Sequence, residues 1–262
     1  MHALHDETLH EPLPPLNVGR YRAHVTRSAD DLDKARALRW LAFRAAHGHS
    51  PRDGRDRDAF DAGCLHVLVA DRAGGKVVAS YRLRLLESGR GIANCYSAQF
   101  YHLDALSAYD RPMAELGRFC LHPDWHDPDI FRTAWGFLAW IVERWKIEML
   151  FGCTSFQGTD AMRYDNTFAF LKENHSAPAC WAPRIKSPDA VCFGLTGADW
   201  RLNRRQALKG LPTLLRAYLA MGGWVSDHAV VDDDLDTLHV FTALEVKALP
   251  EARARTLRRV LA

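Results

Sequence analysis

Two apolar runs, Cys64–Ala70 and Val77–Leu86, stand either side of the hexapeptide Asp71-Arg72-Ala73-Gly74-Gly75-Lys76. Each run has strand length and strand composition. The link is short and glycine-bearing, so the two runs read as an antiparallel hairpin. In the second run Tyr81, Leu83 and Leu85 alternate with Arg82 and Arg84. A period of two puts both arginines on one face of the sheet. A lone hairpin is at best marginally stable, so further strands or a helix must cover it.

The flanking sequence supplies them. Ser28 is placed to cap a helix that starts at Ala29 or Asp30, where Leu32, Ala35, Leu38 and Ala42 recur at helical spacing. Met113–Leu121 reads as a strand ended by His122-Pro123. The stripe Ala134, Phe137, Leu138, Ile141, Val142 and Trp145 marks a helix, and Ile147–Cys153 a further strand. Helix, hairpin, strand, helix and strand make an α/β core with a mixed central sheet flanked by helices. Beyond it, one helix is expected within Thr159–Glu173. A basic amphipathic helix is expected over Gln206–Met221, with Pro212 near its start or at a kink. Ala229–Val231 and Leu238–Val246 read as a hairpin around Asp232–Asp236, and 251–262 as a short arginine-rich helix. Residues 1–20, with Pro12, Pro14 and Pro15, read as a flexible leader. Residues 21–262 are expected to form one composite domain, a core over 21–160 and a C-terminal half over 161–262.

Composition narrows the class of function. Lys and Arg number 34 against 32 Asp and Glu, a net charge of +2, so no nucleic-acid partner is indicated. No apolar run reaches the ~18–20 residues of a membrane span. The start, Met1-His2-Ala3-Leu4-His5-Asp6, is not a secretory signal, which makes a cytoplasmic protein the expectation. Contact with a membrane from outside the bilayer stays open. The six cysteines include no C-x-x-C pair and read as reduced thiols. No H-E-x-x-H and no Cys/His quartet occurs, so no metal is expected; His2, His5 and His10 leave a tail site as the alternative. Asp232–Asp236 fails as a calcium loop, because Thr237 stands where glycine belongs and Ala243 where glutamate belongs. The common nucleotide-binding loops are missing.

The candidates for chemistry are charged. Glu115 and Arg118 lie inside an otherwise apolar strand, where either would be costly to bury alone. A bulge at Gly117 would bring both to one opening; a structural ion pair at the end of the sheet is the competing reading. Asp58 and Asp61, with Arg82 and Arg84, make either a mixed-charge pocket suited to a zwitterion or a surface turn with ordinary salt bridges. Arg201, Arg204, Arg205, Lys209 and Arg216 form one basic surface, and Arg253, Arg255, Arg258 and Arg259 another. Each is either a docking face or a solvated helix face.

Taken in order, Asp58-Ala-Phe-Asp61, His66–Asp71, Tyr81-Arg-Leu-Arg84, Cys95–Phe100, Glu115-Leu-Gly-Arg-Phe-Cys-Leu-His-Pro123 and Phe151–Asp160 resemble the ornithine-acyl carrier protein N-acyltransferases of bacterial ornithine-lipid synthesis. Leu211–Leu219 and Gly222–Asp227 are similar to that family too. The resemblance implies a Gcn5-related N-acyltransferase-like fold with a C-terminal extension, related to the acyl-homoserine lactone synthases. It implies transfer of a 3-hydroxyacyl chain from acyl carrier protein to the α-amine of L-ornithine, giving a lyso-ornithine lipid. No cofactor would be resident, since the 4′-phosphopantetheine arrives on the carrier. The C-terminal half would complete the sheet and the acyl and carrier site. By similarity to the lactone synthases, Asp58, Asp61, Arg82, Glu115 and Arg118 fall on charged pocket positions. Glu115 is then the expected general base and the other four the expected substrate-binding groups. The basic surface at 201–216 would dock the acidic carrier or an anionic membrane. A lactone synthase-like enzyme, an N-acyltransferase for another amino acid, and a non-catalytic carrier-binding module are the alternatives.

The resemblance carries one departure. After its fourth strand the acetyltransferase fold usually places a glycine-rich loop that holds a pyrophosphate at a helix N-terminus. Here the stretch is His122–Ile130, acidic and without glycine. That suits a donor with a single phosphodiester, unless the loop is only a surface turn.

Overall fold

The computed structural model describes residues 13–26, 28–45, 53–194 and 202–249. In chain order the main elements are β1 (Leu16–Val18), β2 (Tyr21–Thr26), α1 (Ala29–Phe43), β3 (Leu65–Asp71), β4 (Val77–Leu86), β5 (Tyr101–His102), β6 (Met113–Leu121), α2 (Pro128–Arg144), β7 (Met149–Gln157), α3 (Asp165–Asn174), β8 (Arg184–Ile185), β9 (Ala190–Cys192), α4 (Arg204–Gly210), α5 (Thr213–Ala220), β10 (Trp224–Asp232) and β11 (Thr237–Glu245). They fall into two compact units.

The first unit takes the chain up to residue 87 and again from 114 to 147. Its strands lie in the order β1-β2-β3-β4-β6. The hairpin β3–β4 closes as the sequence indicates: the Asp71 amide donates to the Lys76 carbonyl at 2.9 Å, and Gly75 takes the positive φ (68°) that the turn requires. β1 lies within the expected leader and pairs antiparallel with β2, Leu16 opposite Ala23. Helix α1 starts where expected, with the Ser28 hydroxyl accepting from the Asp31 amide at 3.0 Å. Helix α2 buries Ile130, Ala134, Phe137, Leu138 and Ile141 on one stripe. It meets the sheet through Tyr81, whose hydroxyl donates to the Ala134 carbonyl and whose ring stacks on Phe119.

The second unit holds residues 88–113 and, among the described residues, 148–249. Its strands run β7-β11-β10-β9, each neighbour antiparallel. One apolar core gathers Phe156, Phe168, Leu171, Phe193, Leu215 and Val240. The single helix expected over 206–221 is two helices. Pro212 lacks an amide hydrogen and keeps its predecessor extended, so α4 ends at Gly210 and α5 starts at Thr213. The arginine-rich segment expected over 251–262 lies outside the described residues, as do the tail histidines.

Candidate active site

Three aspartates and five arginines of the first unit interlock. Asp56 has no solvent-exposed side-chain surface. Its Oδ2 accepts from Arg39 Nε at 2.8 Å and Arg118 Nε at 3.1 Å, and its Oδ1 from Arg44 Nε at 3.1 Å. Asp61 accepts from Arg39 Nη1 at 2.6 Å, Arg82 Nη1 at 2.7 Å and Arg36 Nε at 3.3 Å. Asp58 turns its chain by accepting from the Phe60 amide at 2.9 Å, and its carboxylate also takes Arg82 Nη2 at 2.7 Å and Arg118 Nη2 at 3.1 Å. Helix α1 contributes Arg36 and Arg39, one turn apart on one face. Strand β4 contributes Arg82 and strand β6 contributes Arg118.

Electrostatics follow from the packing. Burial alone would raise the Asp61 pKa, but Arg39 and Arg82 override it and hold the carboxyl at about 2. Asp56 and Asp58 are depressed in the same way, by Arg118 and Arg39 for the former and Arg82 for the latter, each against the cost of burial. His66 lies opposite Arg82 in the sheet, with Nε2 2.9 Å from the Asp61 carbonyl. Burial pushes its pKa down, which favours the neutral ring. Burial also pushes the Cys64 thiol up to about 11; Arg82, Glu115 and Arg84 all act on it electrostatically.

The irregularity expected at Gly117 falls one residue later. Arg118 is a non-glycine residue at φ 52°, a left-handed conformation costing roughly 1–2 kcal/mol. Gly117 lies under Arg82, such that a Cβ there would sit 3.3 Å from Arg82 Nε. Glu115 is buried on the same strand, 5% exposed. Asp58, Asp61, Arg82 and Arg118 are thus brought together. Arg36, Arg39, Arg44 and Asp56 were missed by sequence reasoning. The alternating Arg and Asp of residues 53–58 was the available signal, and it reads equally well as a solvated loop.

Of the basic surface, Arg204, Arg205, Lys209 and Arg216 are exposed, and Arg201 lies outside the described residues. The Arg216 guanidinium is engaged by the carbonyls of Leu211, Leu208 and Lys209, at 2.9, 2.7 and 3.1 Å, and so caps α4. Arg204 lies over the Phe170 ring at 5.8 Å. Among the described residues no cluster of three or more His, Cys, Asp or Glu is arranged to hold a metal, and no helix is long and apolar enough to cross a membrane.

Residues 38–136 match the acetyltransferase (GNAT) domain family, a span that includes the whole interlocked cluster except Arg36. The L-ornithine N(alpha)-acyltransferase of Rhodobacter capsulatus is 32% identical over 241 residues, covering 88% of this chain and 92% of that protein. The chain belongs to the L-ornithine N(alpha)-acyltransferase family. It is an acyltransferase of α/β, GNAT-like fold. The family member from Brucella abortus is 28% identical, over 88% of this chain and 86% of its own. Among solved structures, FeeM, an N-acyl amino acid synthase from uncultured soil microbes, aligns with a TM-score of 0.46 at 10% identity, covering 89% and 92% of the two chains. MesI, a CoA-dependent acyl-homoserine lactone synthase, aligns at 0.47 and 13%, covering 89% of each.

Proposed function

We propose that this acyltransferase moves a 3-hydroxyacyl chain from the phosphopantetheine thioester of acyl carrier protein to the α-amine of L-ornithine, releasing a lyso-ornithine lipid. The observation that carries the reading is the buried Asp/Arg cluster set around the strand of Glu115, in a chain of this family.

Aminolysis of a thioester needs a neutral amine, a stabilised oxyanion and a departing thiolate. Glu115, directly or through a water, takes the proton from the attacking amine. The nitrogen adds to the thioester carbonyl, and collapse breaks the C–S bond. The pantetheine thiolate leaves and is protonated, so an amide and a thiol are the products. Backbone N–H groups where β6 departs from regular strand geometry at Arg118 stabilise the oxyanion. No covalent acyl-enzyme is required, so both substrates are bound together. Arg118, and Asp58 at 19% side-chain exposure, face the acceptor from the rim of the cluster. Arg82 and Asp61, each 3% exposed, act chiefly by holding the loop at 56–63 in place.

A carrier-borne donor is supported by the start of α2. Asp127 accepts from the Asp129 amide at 2.9 Å, and Pro128 has no amide hydrogen to offer. A carboxylate therefore already occupies the helix N-terminus where a pyrophosphate would be held. Arg204, Arg205 and Lys209 form the face that meets the acidic carrier, with an anionic bilayer as the other surface of matching charge.

Mass spectrometry of the product from 3-hydroxyacyl carrier protein and L-ornithine tests the reaction. Glu115→Gln is expected to lower turnover by about a hundredfold or more, and a folded variant with full turnover removes Glu115 as the base. Reversing charge with Arg204→Glu and Arg205→Glu is expected to raise KM for the carrier substrate and flatten its dependence on salt. An unchanged KM and salt slope would place the docking face elsewhere.

A further inference from the structure

Arg82 and Arg84 share a face of β4, but their surroundings differ. Arg36, Arg39, Arg44, Arg82 and Arg118 are each paired with an aspartate. Arg84 has no carboxylate partner among the described residues, and its Nε is buried without a hydrogen bond. Its guanidinium lies against the backbone of Gly63. A Cβ on that residue would stand 2.6 Å from Nη1 and 3.5 Å from Cζ, so the absence of a side chain makes the seat. Strand β6 lies beside β4, with the His122 amide donating to the Val78 carbonyl and Gly117 under Arg82, so the register brings Arg84 level with Glu115.

We infer that Arg84 binds the α-carboxylate of the acceptor amino acid. The inference rests on the acyltransferase reading above. A half-buried guanidinium with no carboxylate beside it is a fork lacking its anion, and a carboxylate meets the two terminal nitrogens of such a fork with two parallel hydrogen bonds. The α-carboxylate is separated from the reacting α-amine by one carbon, so its receptor must stand close to the base. The phosphodiester of the donor lies the whole length of the pantetheine arm from the thioester. Of the two anions, the acceptor's is therefore the one expected near Glu115. The paired arginines hold the frame, and Arg84 reads the substrate.

Rates with L-ornithine and with L-ornithinamide, which lacks the carboxylate charge, test this on the full chain. The wild-type enzyme is expected to show a KM for ornithine at least tenfold below that for the amide. Arg84→Gln should raise the ornithine KM at least tenfold, leave the donor KM within threefold, and bring the two acceptors within twofold of each other. Gly63→Ala keeps the charge but displaces the guanidinium, and should shift the ornithine KM the same way by a smaller factor. Retained preference for ornithine in folded Arg84→Gln overturns the assignment. So does a rise in donor KM alone, which would give the guanidinium to the phosphodiester. If the wild-type protein acylates neither acceptor, the catalytic reading fails, and calorimetry still decides for Arg84. Ornithine bound at least tenfold more tightly by wild type than by Arg84→Gln supports it, and equal affinity overturns it.

Discussion

The two units bury polar side chains by opposite means. In the first, the main buried polar cluster is charged, and each of its aspartates is met by at least two arginines. In the second, one buried cluster is built instead from aromatic rings. Tyr101 donates to the His239 carbonyl at 2.9 Å and lies 3.1 Å from His239 Nδ1, among Phe100, His228 and Phe241. The Nε2 atoms of His228 and His239 and Nε1 of Trp224 are buried without a hydrogen-bond partner among the described residues. A paired ion cluster is expensive to break, because removing one member strands the others. A neutral ring with one unmet nitrogen already carries that cost, so replacing it by an apolar ring of similar shape loses little. The first unit depends on its polar residues for its form, and the second tolerates them.

The largest expected effect tests the first half of that contrast. Arg39→Met should cost about 3 kcal/mol of stability by denaturant unfolding, the low end for a broken buried pair, since Asp56 and Asp61 keep other arginines. A loss under about 1 kcal/mol would erase the distinction.

Acid separates the units by a similar amount. Burial holds His239 at about 4, below its ordinary 6.5, so the unfolded chain takes the proton first. Its contribution is full above pH 6.5 and is lost as pH falls towards 4, about 3 kcal/mol in all. The Asp61 contribution is full above the ordinary carboxylate value of 3.8 and is lost only as pH falls through about 2. His239→Phe should therefore flatten the stability curve between pH 6.5 and 4, with a change at pH 7 within about 1 kcal/mol. An unchanged acid slope would mean that another group sets it.

What could be read from the sequence was local. The hairpin, strand Met113–Leu121 and the capped start of α1 follow from alternation, turn residues and Ser28, all within a few positions of one another. The members of the charged cluster were half legible. Asp58, Asp61, Arg82 and Arg118 stood out against apolar neighbours or by resemblance. Arg39 and Asp56 did not, because a buried charge in a helix or loop looks the same in one dimension as an exposed one. Pro212 was recognised as a disturbance, but whether it starts, kinks or divides a helix is settled by what its neighbours pack on. The strand at Leu16–Val18 is three residues long, too short for a periodic signal.

The interrupted path of the first unit bears on synthesis. Between Glu87 and Ala114 the chain leaves for the second unit. Asp56 and its α1 partner Arg39 therefore emerge from the ribosome well before Arg118 on β6. At ordinary elongation speeds the delay is roughly three to twelve seconds. Throughout that interval the nascent chain carries Asp56 and Asp61 with part of their arginine set, and the strand bearing Glu115 does not yet exist. A stalled or truncated product ending near residue 110 would hold most of the frame but neither Glu115 nor Arg118.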